Sequence, residues 1–263
     1  MPSFTSHAPN SPSWVDLMSP DVDASVAFYS AVFGWESADE HDDDGNRIYT
    51  MFRQDGKAVA GLGAQPPHMA GMPGFWNSYV AVDDPQATVD AAVAAGGSVM
   101  MPPMEVMGAG EMAVLADPTG AAISLWRPMS HTGAEIANEP NTWSWNELLT
   151  RDKDAAMPFY SAVFGWSYQE QDMGGGMTYT VIEGGENGGL GGIMPMPAEV
   201  PDFVPNHWGV YFATDDLAAK VAAVTANGGT VSAEPFEVPG VGSMAVLADP
   251  GGATFTLMQS LAE

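Results

Sequence analysis

Asp16 and Glu147 are the residues whose type and spacing could support chemistry. Each carboxylate lies two positions after a tryptophan, Trp14 or Trp145, at the same place in two similar stretches of chain. A carboxylate that is held in an apolar strand can serve as a general acid or base. The sequence therefore predicts a proton-transfer role for this repeated acid.

A histidine and two tyrosines accompany the acids. Tyr79 and Tyr211 occupy equivalent positions in the two stretches, and His207 lies four residues before Tyr211. We predict that Asp16, Glu147 and His207 are catalytic and that the tyrosines orient a ligand. The alternative is structural: acids at a solvated rim, a histidine at a loop edge and tyrosines in the core.

An internal repeat defines the elements that must position these side chains. Residues 14–35 resemble residues 145–166, and MAVLADPTGAAISL recurs later as MAVLADPGGATFTL. A repeat of about 130 residues indicates two homologous domains. We predict a first domain over residues 1–130, a linker over 131–142 and a second domain over 143–263.

Each repeat is predicted to contain two units, and each unit consists of one strand, one helix and about three antiparallel strands. Asp21 or Asp23 can cap the first helix, and Gly34 can end it. Pro158 falls inside the third helix and predicts a late start or a kink. Residues 174–177, three glycines followed by a methionine, predict a hairpin loop.

This organisation, with FYSAVFGW and the DPxG turn, resembles the vicinal-oxygen-chelate superfamily of glyoxalases, bleomycin-resistance proteins and extradiol dioxygenases. Within it, the chain resembles tandem actinobacterial glyoxalase-like proteins, which are often labelled hydroxylases and in some cases belong to antibiotic pathways. The resemblance implies an α+β fold of two tandem glyoxalase-like domains. Each domain would contain two βαβββ units that form a cup-shaped mixed sheet around a ligand.

The superfamily's enzymes hold a divalent metal with His, Gln or Glu, and the resemblance shows where such ligands would fall. None of these positions carries the expected ligand, so we predict that the usual metal site is absent and that there is no cofactor. The positions are Trp14 and Trp145, Asn77 and Gly209, Ser124 and Thr256, and the glycines within residues 61–63 and 189–191. A displaced metal site around Glu147 and His207 remains an alternative.

The cups are predicted to bind a hydrophobic or aromatic small molecule. Predicted ligand contacts are Trp14, Trp145, Tyr79, Tyr211, Asn77, Ser124 and Thr256. Segments rich in Met and Pro (residues 64–75, 100–108 and 194–208) are interpreted as loops at the rims of the cups. If the protein is an enzyme, we expect metal-independent isomerase, cyclase or lyase chemistry in secondary metabolism. The alternatives are a metal-dependent lyase or dioxygenase and a protein-interaction module.

The amino-acid composition restricts the classes of partner that the protein is expected to bind. Seven Lys and Arg oppose thirty-three Asp and Glu, a formal charge of −26, which argues against nucleic acid and anionic membranes. The chain has no cysteine and no apolar run long enough to span a bilayer. We expect a soluble, cytoplasmic protein that is a monomer, with its two domains as a pseudo-dimer, or a homodimer.

Overall fold

Two curled eight-stranded sheets form the protein, which the computed structural model describes over residues 3–173, 178–185 and 188–261. The predicted hairpin loop at residues 174–177 lies outside the described residues. The first sheet comprises β1 (Pro12–Ser19), β2 (Glu36–His41), β3 (Arg47–Gln54), β4 (Lys57–Ala64), β5 (Phe75–Ala81), β6 (Ser98–Val106), β7 (Gly110–Ala116) and β8 (Ala122–Pro128). The second comprises β9 (Trp143–Thr150), β10 (Tyr168–Asp172), β11 (Thr178–Ile182), β12 (Gly191–Pro195), β13 (His207–Ala213), β14 (Thr230–Val238), β15 (Gly242–Ala248) and β16 (Thr254–Ser260).

The two sheets have the same topology. The order in the first is β2-β3-β4-β1-β5-β8-β7-β6, and the order in the second is β10-β11-β12-β9-β13-β16-β15-β14. In the first sheet, β1 runs parallel to β4 and antiparallel to β5, and β5 runs parallel to β8. Two four-stranded units therefore meet at the central β1–β5 pair, which confirms the predicted α+β class with two tandem glyoxalase-like domains.

One methionine-rich segment differs from its predicted form. Residues 100–108 were expected to be a rim loop, but most of them belong to β6, which pairs with β7 along its length. Proline is tolerated at a sheet edge or in a bulge. Pro102 and Pro103 meet both conditions, because β6 is an edge strand whose register shifts between Met101 and Met104.

In the described part of the chain, four α-helices cover one face of the sheets: α1 (Val22–Phe33), α2 (Pro85–Ala94), α3 (Lys153–Phe164) and α4 (Leu217–Ala226). Each begins after an aspartate whose carboxylate accepts a hydrogen bond from the backbone N–H three residues later. Despite Pro158, α3 begins at the position equivalent to the start of α1, so the predicted late start is wrong. Pro158 is exposed, and the carbonyl that it leaves unpaired can bond to water.

The hydrophobic core joins the two domains through their helices. Helix α1 contacts α4, and α2 contacts α3. The Tyr29 hydroxyl donates to Asp249 Oδ2 of the second domain at 3.1 Å, and the Tyr160 hydroxyl donates to Asp117 Oδ2 of the first at 3.0 Å. The helix-covered faces of both sheets are thus directed toward the domain junction. The opposite face of each sheet forms its cup.

The linker packs on the first sheet. Ala134 and Ile136 are fully buried, and the Glu135 carboxylate accepts a hydrogen bond from the Ala58 N–H at 2.7 Å. Phe4 of the N-terminal segment bonds to the Glu135 carbonyl at 2.9 Å. Over the described residues, no helix is long and apolar enough to cross a membrane.

Candidate functional site

Strand alternation places the repeated acids on the cup faces. In β1, Val15 and Leu17 are fully buried in the core, whereas Trp14 and Asp16 point to the opposite side of the sheet. In the neighbouring strand β5, Asn77 lies across from Asp16 and Tyr79 lies across from Trp14. We call this surface the first cup and its counterpart around Glu147 the second cup.

The carboxylate of Asp16 is buried in the first cup and receives three hydrogen bonds. The hydroxyls of Tyr49 and Tyr79 donate to Oδ2 at 3.1 and 2.9 Å, and the Asn77 amide donates to Oδ1 at 2.8 Å. Only 5% of Asp16 is exposed. The donors hold the acid in one orientation, out of contact with bulk water.

The second cup repeats this arrangement around Glu147, which is 4% exposed. The Tyr211 hydroxyl donates to Glu147 Oε1 at 2.6 Å, and Tyr179 forms a second hydrogen bond to the carboxylate. Gly209 lies across from Glu147 in the strand register, where the first cup has Asn77. The second carboxylate therefore lacks an amide donor from this position.

An indole N–H extends each hydrogen-bond chain by one step. Trp14 Nε1 donates to the Tyr49 hydroxyl at 3.2 Å, and Trp145 Nε1 donates to the Tyr179 hydroxyl at 2.9 Å. In both cups the chain runs from tryptophan through tyrosine to the carboxylate. A donor that itself accepts a hydrogen bond is polarised, which strengthens the bond it donates.

Glycine makes room for the linking tyrosine in each cup. A Cβ atom at Gly61 would lie 1.8 Å from the Tyr49 hydroxyl, and one at Gly192 would lie 1.8 Å from the Tyr179 hydroxyl. Sequence reasoning missed both tyrosines. The signal that could have identified them is the Tyr-Thr pair at 49–50 and 179–180, which recurs with an offset of 130 rather than 131.

Burial determines the protonation behaviour of these groups. Loss of solvation raises the pKa of Asp16 and of Glu147 above their ordinary values, although the hydrogen bonds that they accept act in the opposite direction. Burial and the neighbouring carboxylate also raise the pKa of Tyr79 and Tyr211, so that both phenols remain donors. Each cup thus holds one carboxyl group whose pKa is raised by burial above that of a solvated acid.

Most of the sequence-predicted residues meet at these two acids, but His207 does not. Ser124 bonds to Tyr79, and Thr256 bonds to Tyr211. His207 Nδ1 bonds to the Pro205 carbonyl at 2.9 Å, on the loop that enters β13. The histidine lies on the same strand face as Tyr211, but no hydrogen bond joins it to Glu147.

The side chains in the cups do not fit the superfamily's divalent metal. The implied ligand positions carry indole, amide, hydroxyl and glycine, and tyrosine hydroxyls reach the acid across Gly61 and Gly192. Each cup therefore offers one carboxylate as a potential metal ligand, and this carboxylate already accepts hydrogen bonds from tyrosine hydroxyls. Within the described ranges, no group of three or more His, Asp or Glu side chains is placed to hold a metal.

Apolar side chains form one wall of each cup. In the first cup the β6–β7–β8 register aligns Met104, Met112 and Trp126, and in the second it aligns Phe236, Met244 and Met258. Met104 is 47% exposed and Phe236 is 43% exposed. Exposed apolar side chains beside a buried acid are typical of a site for a largely apolar ligand.

Known protein families and relatives match this chain over both of its tandem domains. Residues 11–125 match the family model described as the Glyoxalase/Bleomycin resistance protein/Dioxygenase superfamily, and residues 146–258 match the model described as a glyoxalase-like domain. A Mycobacterium tuberculosis protein named "Putative glyoxylase CFP32" is 44% identical over 98% of both chains. The "Anthracycline biosynthesis protein DnrV" of Streptomyces peucetius is 39% identical over 97% of this chain and 95% of its own.

Solved structures share the fold at low sequence identity. The Mn(II)-bound glyoxalase from Novosphingobium aromaticivorans superimposes with a TM-score of 0.66 and 19% identity, over 97% of this chain and 83% of the other. With two family models that match nearly all of both repeats, the chain belongs to the Glyoxalase/Bleomycin resistance protein/Dioxygenase superfamily.

Proposed function

We propose that the protein binds a hydrophobic, aromatic small molecule at a cup and moves a proton on it with the buried carboxyl group, without the superfamily's metal. The observation that carries the proposal is the acid on each inner face, at most 5% exposed and held by tyrosine hydroxyls. A structural carboxylate that is this deeply buried usually forms an ion pair with a cationic side chain. Here neutral tyrosine hydroxyls donate hydrogen bonds to the carboxylate in its place.

The chemistry follows from the raised pKa of the acid. In its ionised form the carboxylate accepts a proton from an activated C–H or a phenol of the ligand, and it returns the proton at another atom. The tyrosine hydroxyls hold the carboxylate in place and stabilise its negative charge. An isomerisation or cyclisation needs no other co-reactant, because the proton that leaves the ligand is restored to it.

The apolar side chains of the cup walls and the net charge of the protein indicate the chemical class of the ligand. Methionine and aromatic side chains beside the acid favour a flat, polarizable ring system. A formal charge of −26 disfavours anions, so the ligand is neutral or cationic. Two relatives are named as anthracycline biosynthesis proteins, and anthracyclines are fused-ring aromatic compounds. These names favour a role in secondary metabolism, as a tailoring, accessory or resistance protein.

Binding can be tested with 1,4-dihydroxyanthraquinone, a flat phenolic probe, by quenching of tryptophan fluorescence. We expect saturable quenching in the wild-type protein and in D43N, a control for an exposed acid in the β2–β3 turn. The double variant D16N/E147Q should bind the probe about tenfold or more weakly, because a hydrogen bond to a charged group contributes about 1.5–3 kcal/mol. Absence of quenching in the wild type, or unchanged affinity in the double variant, contradicts the proposal.

The metal-dependent alternative has its own measurement. A displaced site at Glu147 and His207 requires stoichiometric metal in protein purified without chelator, measured by elemental analysis. We expect less than 0.1 equivalent of nickel, zinc, iron or manganese, and probe affinity that EDTA leaves unchanged. One equivalent of metal that is lost in E147Q and H207A would establish the displaced site instead.

A further inference from the structure

The two cups differ in what covers their tryptophan. Trp14 is 3% exposed, whereas Trp145 at the equivalent position is partly exposed. The ring that covers Trp14 is His131, at the start of the linker, with ring centroids 4.5 Å apart and an interplanar angle of 80°. Among the described residues, no aromatic ring stacks on Trp145.

His131 is fixed in place by several contacts. Its ring also lies 5.7 Å from the ring of Trp126, and Trp126 Nε1 donates to the His131 carbonyl at 2.9 Å. The His131 N–H donates to the Ala109 carbonyl at 3.0 Å. The linker therefore fills the end of the first cup with an imidazole set between two indoles.

The imidazole of His131 is buried and uncharged. Its Nε2 is buried and has no hydrogen-bond partner within the described part of the chain. Burial lowers the pKa of the imidazole to about 4, so the ring is neutral at physiological pH. A neutral ring packs on tryptophan without the cost of burying a charge.

Among the described residues, the second cup lacks the indole that contributes to this closure. Met258 stands at the position that Trp126 occupies in the first cup, so the wall carries a flexible thioether instead of an indole. Trp145 remains partly exposed on this inner face.

The two carboxylates also differ in unused acceptor capacity. Asp16 accepts from Tyr49, Tyr79 and Asn77, whereas the hydrogen bonds found for Glu147 come from two tyrosines. A carboxylate offers about four lone-pair positions. Gly209 has no side chain where the first cup has the Asn77 amide, and a Cβ there would make only ordinary contacts, the nearest with Leu149 Cδ1 at 3.4 Å.

We infer that the second cup alone takes the ligand, an aromatic compound whose hydroxyl or amine group donates to Glu147 in the space above Gly209, and that His131 closes the first cup. This inference rests on the proposed function and narrows it to one site. The ring system would pack against Trp145 and the wall of Phe236, Met244 and Met258. The first cup then serves as a structural copy in which Tyr49, Tyr79 and Asn77 satisfy the Asp16 carboxylate.

The test uses matched variants of the two cups with the full-length protein and 1,4-dihydroxyanthraquinone. Calorimetry of the wild type should give one site per chain. W14F and W145F remove the same indole-to-tyrosine hydrogen bond from the two cups, and only W145F should lose the quenching. G209N introduces the amide of the first cup and should weaken binding at least tenfold, whereas D43N in the exposed β2–β3 turn should leave the affinity within twofold.

Opening the first cup gives an independent readout. His131 forms its hydrogen bonds through the backbone, so H131A keeps them and removes only the filling ring. We expect H131A to bind a second, weaker equivalent of probe that W14F abolishes. Two sites in the wild type, or loss of quenching in W14F rather than W145F, would overturn this inference while leaving the proposed function intact. Absence of any binding would overturn the proposed function itself, together with the inference.

Discussion

Replacement of Gly192 by alanine should disconnect the second hydrogen-bond chain. The new Cβ would lie 1.8 Å from the Tyr179 hydroxyl and 2.4 Å from the ring carbon that carries it. Both belong to a ring in a packed cup, so Tyr179 must turn away. The turn removes the hydrogen bond from Trp145, measured at 2.9 Å, and the bond to Glu147.

The expected cost follows from these two bonds. A neutral buried hydrogen bond contributes about 0.5–1.5 kcal/mol, and one to a charged group contributes about 1.5–3 kcal/mol. We therefore expect G192A to lower the free energy of unfolding by about 2–4 kcal/mol. For a chain of this size, that loss corresponds to a decrease in Tm of about 5–15 °C.

Urea denaturation followed by circular dichroism measures the effect, and G209A supplies the control. Gly209 lies in the same cup without a positive φ, and a Cβ there makes only ordinary contacts. G209A should match or slightly exceed the wild type, because alanine reduces the entropy of the unfolded chain. The reasoning is refuted if G192A unfolds within about 0.5 kcal/mol of G209A, or if G192A and Y179F prove additive although they remove the same bonds.

Two further predictions concern the domain junction and the buried acid. Y29F and Y160F should each lower the free energy of unfolding, measured by urea denaturation, by about 2–4 kcal/mol. Each variant removes a hydrogen bond to a buried aspartate, and it leaves the indole N–H of Trp76 or Trp208 without its acceptor. A loss below about 0.5 kcal/mol would contradict the role of these bonds. E147Q should gain stability relative to the wild type as the pH rises above 4.5, because a folded-state pKa above the unfolded value favours folding at low pH and this contribution is lost as the carboxyl ionises. A stability difference that stays constant from pH 4 to pH 8 would argue against the raised pKa.

The repeat made the fold predictable from the sequence. Asp21 caps α1 and Gly34 ends it in the left-handed conformation, as local sequence rules predict. The relation between the domains was not predictable in this way. The final tryptophan of FYSAVFGW donates across the junction in both copies, from Trp35 to the Asn141 carbonyl and from Trp166 to the Asn10 carbonyl, and local periodicity carries no information on such contacts.

The candidate site was predictable in part, for a physical reason. Strand alternation placed Asp16, Tyr79 and Asn77 on one face, and the structure brings them together. Tyr49 was missed because it lies two strands from Asp16 and reaches the acid across Gly61, and alternation along a single strand does not predict such a contact. The cover on Trp14 was missed because His131 lies in the linker, outside the repeat.

Side chains that both cups share are explained by the fold, whereas side chains that differ between the cups are candidates for ligand binding. Both cups keep a tryptophan, a tyrosine, a glycine and an acid in one hydrogen-bonded chain, so this chain cannot by itself account for a difference between them. At two pairs of positions, Asn77 against Gly209 and Trp126 against Met258, the second cup carries the smaller side chain. A buried acid with spare acceptor capacity is stabilised when a further donor bonds to it. On the inference that the second cup takes the ligand, the probe should raise the Tm of the wild type more than that of G209N.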